Sequence, residues 1–419
     1  MMSDELVGEK ILTSTSPKAV GSTDAGKEAE AEAAPPAQPP QLFLTMNGEI
    51  YSLERFQEDF VHVSVNKVDF LNDLDVSKLY HCDGLVLCVA TDKKKDKDKK
   101  EEPKLVLWNP YLCQTRWIEP REEFNRNNRF AIGYSSSDDG SDSQRNHKIL
   151  RFGPGDEPDK MGFEIYDIKC NTWRVLEVVI NNPVWWIGYN QGGVSVKGNA
   201  YFLAHHLIDG LYGYQRDEIF LLSFDFTQET FGPRLSLPFH DSFDGFSGDC
   251  MFLSNFLRRG DDEQLAVLFG GYESGFFEIW VTLTVDPNRA SWSKFLRMDP
   301  GPFSTYGFQL CTPLSGGSFF VDEDNKVAVL FELFNHKPVH KAFVFGQDCR
   351  RFKSSVDLGE ALILENRCPF TNRVSMAARP PLVCSSPYRP SLVQVIQPPL
   401  VHKRKRKRMS PSDQRKRIV

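Results

Sequence analysis

The chain has 419 residues, 41% hydrophobic and 12% aromatic, with nine cysteines and a net charge of −6. No run of about 18 apolar residues occurs, which excludes a transmembrane helix, and the acidic, Ala-rich N-terminus has no secretory h-region. An odd cysteine count without CxxC spacing argues against a disulfide framework and predicts reduced, buried thiols in a cytosolic or nuclear protein.

In chain order, residues 24–41 (DAGKEAEAEAAPPAQPPQ) have linker composition, with almost nothing to bury. Strand-like material begins at Leu42–Leu53. Apolar runs cut by Gly, Asn and Asp follow: 81–89 (HCDGLVLCV), 192–204 (GGVSVKGNAYFLA), 264–272 (QLAVLFGGY) and 316–333 (GGSFFVDEDNKVAVLFEL). Such runs read as strands joined by turns. Interleaved with them are five segments of one layout, an apolar strand, a polar turn, an aromatic and a second strand: 104–120, 163–176, 219–238, 277–298 and 341–359. Their markers are Trp117, Trp173, Phe231, Trp292 and Phe352, at steps of 56, 58, 61 and 60 residues. Residues 92–103 (DKKKDKDKKEEP) and 135–146 (SSSDDGSDSQRN) are too polar for a sheet core and are expected as solvated loops.

A fixed period of this size means one supersecondary unit copied several times. Four strands per unit, repeated radially, predict an all-β protein of β-propeller fold, with six blades favoured and seven the alternative. A two-sheet sandwich would not need the aromatic to return so steadily. The expected layout is a disordered segment at 1–41, the propeller at 42–396, and a disordered basic tail at 397–419. Material at Leu42–Leu53 and Ala361–Ile396 would close the last blade from both ends, leaving no free sheet edge. Trp173 is read as a packing residue, and its loss to Ala as costing about 3–5 kcal/mol.

The tail carries the sharpest local signal. Residues 402–419 hold nine Lys or Arg against one acid, +8 by formal count, leaving −14 on the rest. Lys403, Arg404, Lys405, Arg406, Lys407 and Arg408 read as a nuclear localisation signal, with importin as partner and the nucleus, beside the cytoplasm, as compartment. Nucleic-acid contact and an inert solubilising tail are the alternatives. Ser410 precedes Pro411 here, and its phosphorylation would offset the basic charge.

Catalytic motifs are missing: the chain has no GxxxxGK[ST], GxSxG or HExxH. His205 and His206 adjoin on a strand and so point to opposite faces, while Pro338 between His336 and His340 argues against a helix presenting both. No catalytic residue, metal ligand or cofactor is expected. Trp185 and Trp186 are read first as core packing across two sheets, and second as a partner-binding anchor.

An ordered set of motifs carries a family resemblance over roughly residues 60–396. HCDGLVLC (81–88), LVLWNPYLCQTRWI (105–118), FAIGY (130–134), HKILRF (147–152), FEIYDIKCNTWR (163–174), GGVSVKGNAYFLA (192–204) and LLSFDFTQETFGPRLSLP (221–238) resemble the plant F-box-associated domain, type 1. PSLVQV (390–395) resembles that family's closing strand. The resemblance implies a kelch-like propeller that captures a protein target as the recognition subunit of a cullin-RING ubiquitin ligase, with an F-box holding a Skp-type adaptor and thereby a cullin. Residues 4–27 resemble a worn F-box: Glu5, Leu6, Val7, Ile11 and Leu12 match its opening, and 18–23 (KAVGST) a later stretch. The Trp and Cys that follow in the family are absent, which leaves too little apolar area to order three helices. Two other readings stand beside the ligase one: a stand-alone propeller competing for the same targets, and an enzyme of galactose-oxidase-like fold. No membrane contact is expected, and the target is not named by the sequence.

Overall fold

The computed structural model describes residues 41–54, 64–93, 102–124, 127–136, 145–154, 161–178, 185–187, 192–206, 219–239, 250–258, 262–271, 276–298, 318–323, 325–334, 339–346, 352–367, 374–379, 381–384 and 388–395. Residues 1–35 form a separate unit outside these, so everything below concerns the second unit, 36–419. The expected disordered tails, the polar insertions at 94–100 and 137–144, and Lys403–Arg408 also lie outside the described residues.

Every described element is a strand. Blade 1 holds β1 (Leu42–Met46), β2 (Glu49–Glu54) and β3 (Ser64–Lys67). Blade 2 is β4 (Leu74–Cys82), β5 (Leu85–Asp92), β6 (Lys104–Asn109) and β7 (Gln114–Ile118). Blade 3 is β8 (Arg129–Ser135), β9 (Asn146–Pro154), β10 (Met161–Asp167) and β11 (Thr172–Val175). Blade 4 starts with a broken inner strand, β12 (Trp185–Ile187) and β13 (Val194–Val196), then β14 (Asn199–His206), β15 (Ile219–Asp225) and β16 (Thr230–Leu235). Blade 5 is β17 (Cys250–Arg258), β18 (Asp262–Gly271), β19 (Phe276–Asp286) and β20 (Arg289–Met298). Blade 6 is β21 (Ser318–Asp322), β22 (Val327–Phe334), β23 (Val339–Gly346) and β24 (Phe352–Glu360). After a separate hairpin, β25 (Ile363–Arg367) with β26 (Val374–Ala378), the short β27 (Leu382–Val383) returns to pair with β1.

The result is a closed six-bladed β-propeller. Inner strands touch in the cyclic order β27, β4, β8, β13, β17, β21 and back to β27. Blade 1 is therefore built from both ends of the domain, its inner strand coming from the C-terminal side and its other three from the N-terminal side. Within each blade all pairs are antiparallel and, apart from β27 with β1 and β12 with β14, join strands consecutive in sequence, a pairing that tight turns can connect. Three of these are two-residue turns with both residues at positive φ: Asn47–Gly48, Asp83–Gly84 and Lys197–Gly198. That is the type I′ geometry whose twist matches the flanking strands.

The apolar runs exist because each blade buries both faces. Side chains alternate along a strand, and here each parity belongs to a different core. On β6, Leu105 and Leu107 pack towards blade 3, while Val106 and Trp108 pack towards blade 1. On β5, Leu85 and Leu87 go one way, and Val86 and Cys88 the other. Six apolar clusters result, one in each seam between neighbouring blades.

The five aromatic markers all lie on outermost strands, those on β11 and β16 opposite another aromatic: Trp173 faces Tyr166 and Phe231 faces Phe224. Trp173 and Trp292 make equivalent contacts. Each indole N–H donates to a backbone carbonyl just past the outer strand of the preceding blade, Glu119 O at 2.8 Å and Ser236 O at 3.1 Å. Trp173 is half-buried, packed edge-to-face with Phe124 and tilted against Tyr166. Trp173→Ala is thus expected to cost about 3 kcal/mol, the low end for a large aromatic, and a thermal melt of the full chain checks it.

Two expectations are corrected, and one marker is found at the surface. Residues 390–395 are not a paired strand: the ring closes at β27, and 391–395 runs extended without ladder partners. Trp117, opposite Val106 and so on the blade 1 side of its sheet, is 42% exposed on this outermost strand. Among the described cysteines, all free, Cys82, Cys88 and Cys384 are buried as expected, but Cys113 and Cys170 are exposed in turns.

Candidate functional site

Sequential antiparallel blades give the ring two unlike faces. On one lie the connections from first to second and from third to fourth strands, which are mostly tight turns. On the other lie the connections from second to third strands and from blade to blade. Several of these are long, at residues 93–103, 207–218, 236–249, 299–317 and 361–381.

The turn face is closed by a repeated device. An Asx residue ends the third strand of four blades and accepts the N–H of a turn residue that follows. Asn109 Oδ1 accepts from Leu112 (3.1 Å), Asp167 from Cys170 (2.8 Å), Asp225 from Thr227 (2.7 Å), and Asp286 from Asn288 (2.9 Å). The next residue's carbonyl is then free for the preceding blade. Arg116 donates to Ile168 O (2.6 Å), Lys148 to Phe226 O (3.0 Å), and Ser223 to Pro287 O (2.7 Å). The four Asx residues recur at steps of 58, 58 and 61, a sequence signal as regular as the aromatics.

Charged groups on this face are matched across seams. Asp83, in the turn between β4 and β5, receives Arg145 (2.6 Å) and His147 (2.9 Å) from blade 3. The Arg145 guanidinium also lies 4.6 Å over the Tyr134 ring. Glu229 is bound by Lys148 (2.8 Å) and by Arg174; burial alone would raise its carboxyl, but these donors hold it below the usual range. Lys197 donates its backbone N–H to Glu263 (2.6 Å) and its ammonium to Asp262 (2.7 Å). Burial pushes the Glu263 carboxyl up, against that hydrogen bond. His81 Nε2 accepts the Gly84 N–H (3.2 Å), and burial lowers its pKa to about 4, so the ring is a neutral acceptor. Apart from the His81 bond, which stays within blade 2, these contacts cross-link neighbouring blades.

Where blades 1 and 2 meet, a strap of C-terminal residues takes the place of a blade-to-blade donor. Tyr388 packs against Phe43 and His81 and accepts the Tyr111 N–H (3.0 Å), while its own N–H reaches Gln41 O (2.6 Å). Asn109, with no exposed surface, donates its amide to both Ser391 O (2.9 Å) and Val393 O (2.8 Å). Gln114 accepts the Val395 N–H (2.8 Å) and donates to Gln394 Oε1 (3.2 Å). Val395 enters the core between blades 2 and 3.

On the loop face, Asn47 ties blade 1 to blade 6. It donates to Glu360 O (2.9 Å) and accepts from Leu362 N (2.8 Å) and from the His340 ring (3.1 Å). His340 is buried, and burial lowers its pKa to about 4. Arg379 forms a two-pronged pair with Asp75 (2.7 and 2.8 Å). Leu362 and Ile363, at the start of the separate hairpin, are exposed.

Trp185 and Trp186 pair with His206 and His205 at the loop-face end of blade 4. Trp185 is 8% exposed, its indole 5.0 Å from Phe231 and 6.3 Å from Phe163, so its faces are taken up by the core between blades 3 and 4. The side chains of Trp186, His206 and Phe352, and all of His336, lie outside what is described. Among the described residues no group of three His, Cys, Asp or Glu could hold a metal ion.

A closed ring of six blades, sealed by a C-terminal strand laid beside N-terminal ones, is a β-propeller with one stapled face and one looped face. The family model for the F-box associated beta propeller domain matches residues 41–395, and the chain belongs to that family. Among its relatives is F-box/kelch-repeat protein At1g24800 of Arabidopsis thaliana, 42% identical over 422 aligned positions that cover 94% of this chain and 91% of that one. F-box/kelch-repeat protein At3g13680 of the same plant is 39% identical over 365 positions, covering 84% and 80%. TolB from Acinetobacter baumannii, a solved structure, aligns over 83% of this chain and 66% of its own at 10% identity and TM-score 0.42, too low to bear on function.

Proposed function

We propose that this propeller is a protein-binding module that captures a target through its loop face, as the recognition domain of an F-box-type protein does. Membership of the F-box associated family over residues 41–395 is the observation that carries this reading. The contrast between the faces supports it. Asx caps and cross-seam ion pairs occupy the turn face, whereas the strand ends joined by long stretches of sequence are at the other, and binding residues concentrate in such connections. A kelch-propeller enzyme is the less favoured reading, since the described titratable groups serve as seam cross-links.

The finer question is the ligase role. Similarity to At1g24800 spans more of the chain than the propeller alone, which supports an F-box origin for part of the flanking sequence. Residues 4–27 lack the Trp and Cys of the motif they resemble, so this 419-residue chain is expected to form no stable complex with a purified Skp-type adaptor at micromolar concentration. Size-exclusion chromatography of the mixture checks this. A stable adaptor complex would make the chain a ligase subunit rather than a stand-alone propeller competing for targets.

For the tail, the reading is import through Lys403–Arg408 by an importin, giving a nuclear protein. Deleting residues 402–419 is expected to leave the melt unchanged and to shift a fluorescent fusion to the cytoplasm. If the truncated fusion stays nuclear, the localisation reading fails, and salt-sensitive nucleic-acid binding by the tail is the next measurement.

A further inference from the structure

The strap on the turn face is bound in an unusual way for a propeller segment. Residues 391–395 lie extended, yet no strand pairs with them. The described hydrogen bonds that tie them to the ring come from side chains of one blade. A single amide, Asn109, spans the carbonyls of Ser391 and Val393, two residues apart on the same edge of the segment. Gln114 then reads the next positions through the Val395 N–H and the Gln394 side chain. Beneath the segment, Gly84 leaves room that a Cβ would fill. Such an atom would meet Arg389 O at 2.8 Å and Ser391 N at 3.0 Å. Val393 and Val395 point into the core between blades 2 and 3. Ring closure itself resides upstream, in β27 and Tyr388.

A groove that holds backbone carbonyls with a fixed amide and takes alternate side chains into apolar pockets has the chemistry of extended-peptide recognition. We propose that the surface formed by Gly84, Asn109 and Gln114 is a peptide-binding site for an extended segment of another protein, and that residues 391–395 fill it in cis. The segment it fits has a small residue over Gly84 and β-branched apolar residues two and four positions further on. The seated strap is the template for that specificity: Ser391, Val393, Val395. Because the ring is closed before Ser391, at β27, exchange of this segment for one that refills the Val395 position leaves every strand ladder in place. The proposal does not rest on the ligase reading, which concerns the opposite face and the N-terminus.

The test uses the full chain and a labelled peptide of the sequence PSLVQVI. Val395→Asp weakens the strap, and this variant is expected to bind the peptide at least ten-fold tighter than the unaltered chain does. Adding Gln114→Ala should weaken that binding about ten-fold, and a scrambled peptide should not bind. A folded Val395→Asp variant that ignores the peptide, or binding indifferent to Gln114→Ala, overturns the proposal. Should Val395→Asp fail to fold, hydrogen exchange of the unaltered chain decides. The Val393 and Val395 amides must exchange faster than those of the β5–β6 pair, and equal rates, meaning release only by global unfolding, overturn it. A concentration-dependent dimer dissolved by the peptide would also overturn it, by making a second copy the occupant.

Discussion

A chain ending at residue 381 is expected to show no cooperative melt. It loses β27, the inner strand of blade 1, and with it the hydrogen bonds to Leu44 and Thr45. It also loses Val383 from the core between blades 6 and 1, Cys384 and Tyr388 from that between blades 1 and 2, and Val395 from that between blades 2 and 3. Three of the six cores are opened by removing a stretch that is two residues of strand and one extended strap. The edge of β1 would then stand unpaired beside exposed Leu42, Leu44 and Phe43, a template for intermolecular pairing. Near-UV circular dichroism on heating, with size exclusion before it, checks the prediction. A truncated chain that stays monomeric and melts within a degree or two of the full one would mean that the ring is not closed by this strand.

Asn109→Asp is expected to lose about 3 kcal/mol. The change is isosteric and keeps the acceptor that caps the turn at Leu112. What disappears is the amide, and a buried carboxylate is set against the carbonyls of Ser391 and Val393, each of which accepted a hydrogen bond. At the equivalent positions of blades 3, 4 and 5 the residue is Asp, and the described strap, 391–395, bonds to Asn109. The pH dependence identifies the cause. Burial beside two carbonyls raises the folded-state pKa of the new carboxyl above its unfolded value near 4. The penalty therefore grows as pH rises through that interval and fades as pH falls below about 4, where the acid is protonated in both states. Denaturant melts of the variant and the unaltered chain at pH 7 and pH 4 would show the gap closing. A gap independent of pH would place the damage elsewhere.

The blades were legible in the sequence for a definite reason. A strand buried on both faces must be apolar at every position, so runs such as Leu85–Ala90 stand out without any alternation. The aromatics marked the outer strands, where one large side chain per unit bridges to the neighbouring blade, as Trp173 and Trp292 do. The class of the site residues was harder to read. Asn109 differs from Asp167, Asp225 and Asp286 by one atom type, and only the strap lying over it gives the difference meaning. The strap itself looks like a strand because Leu392, Val393 and Val395 make a short apolar, β-branched run, but its partners are side chains more than 270 positions away. Separations of that kind leave no periodicity to find. Trp117 shows the opposite failure: it keeps the period of the markers, yet at 42% exposure it contributes little packing.

A linear stack of repeats has one fewer interface than it has units, and its two end units need specialised polar outer surfaces. Bending the stack into a circle supplies the missing interface, so that six blades share six cores and no blade is terminal. Stability then cannot be trimmed unit by unit, as it can in an open array. It also fixes the number of units: a seventh blade would alter the angle between every pair of neighbours, so duplication of a unit would have to re-tailor all the seams at once. Sequence drift in this chain is therefore free where side chains leave the ring, along the loops, and held in check wherever one blade is the wall of the next.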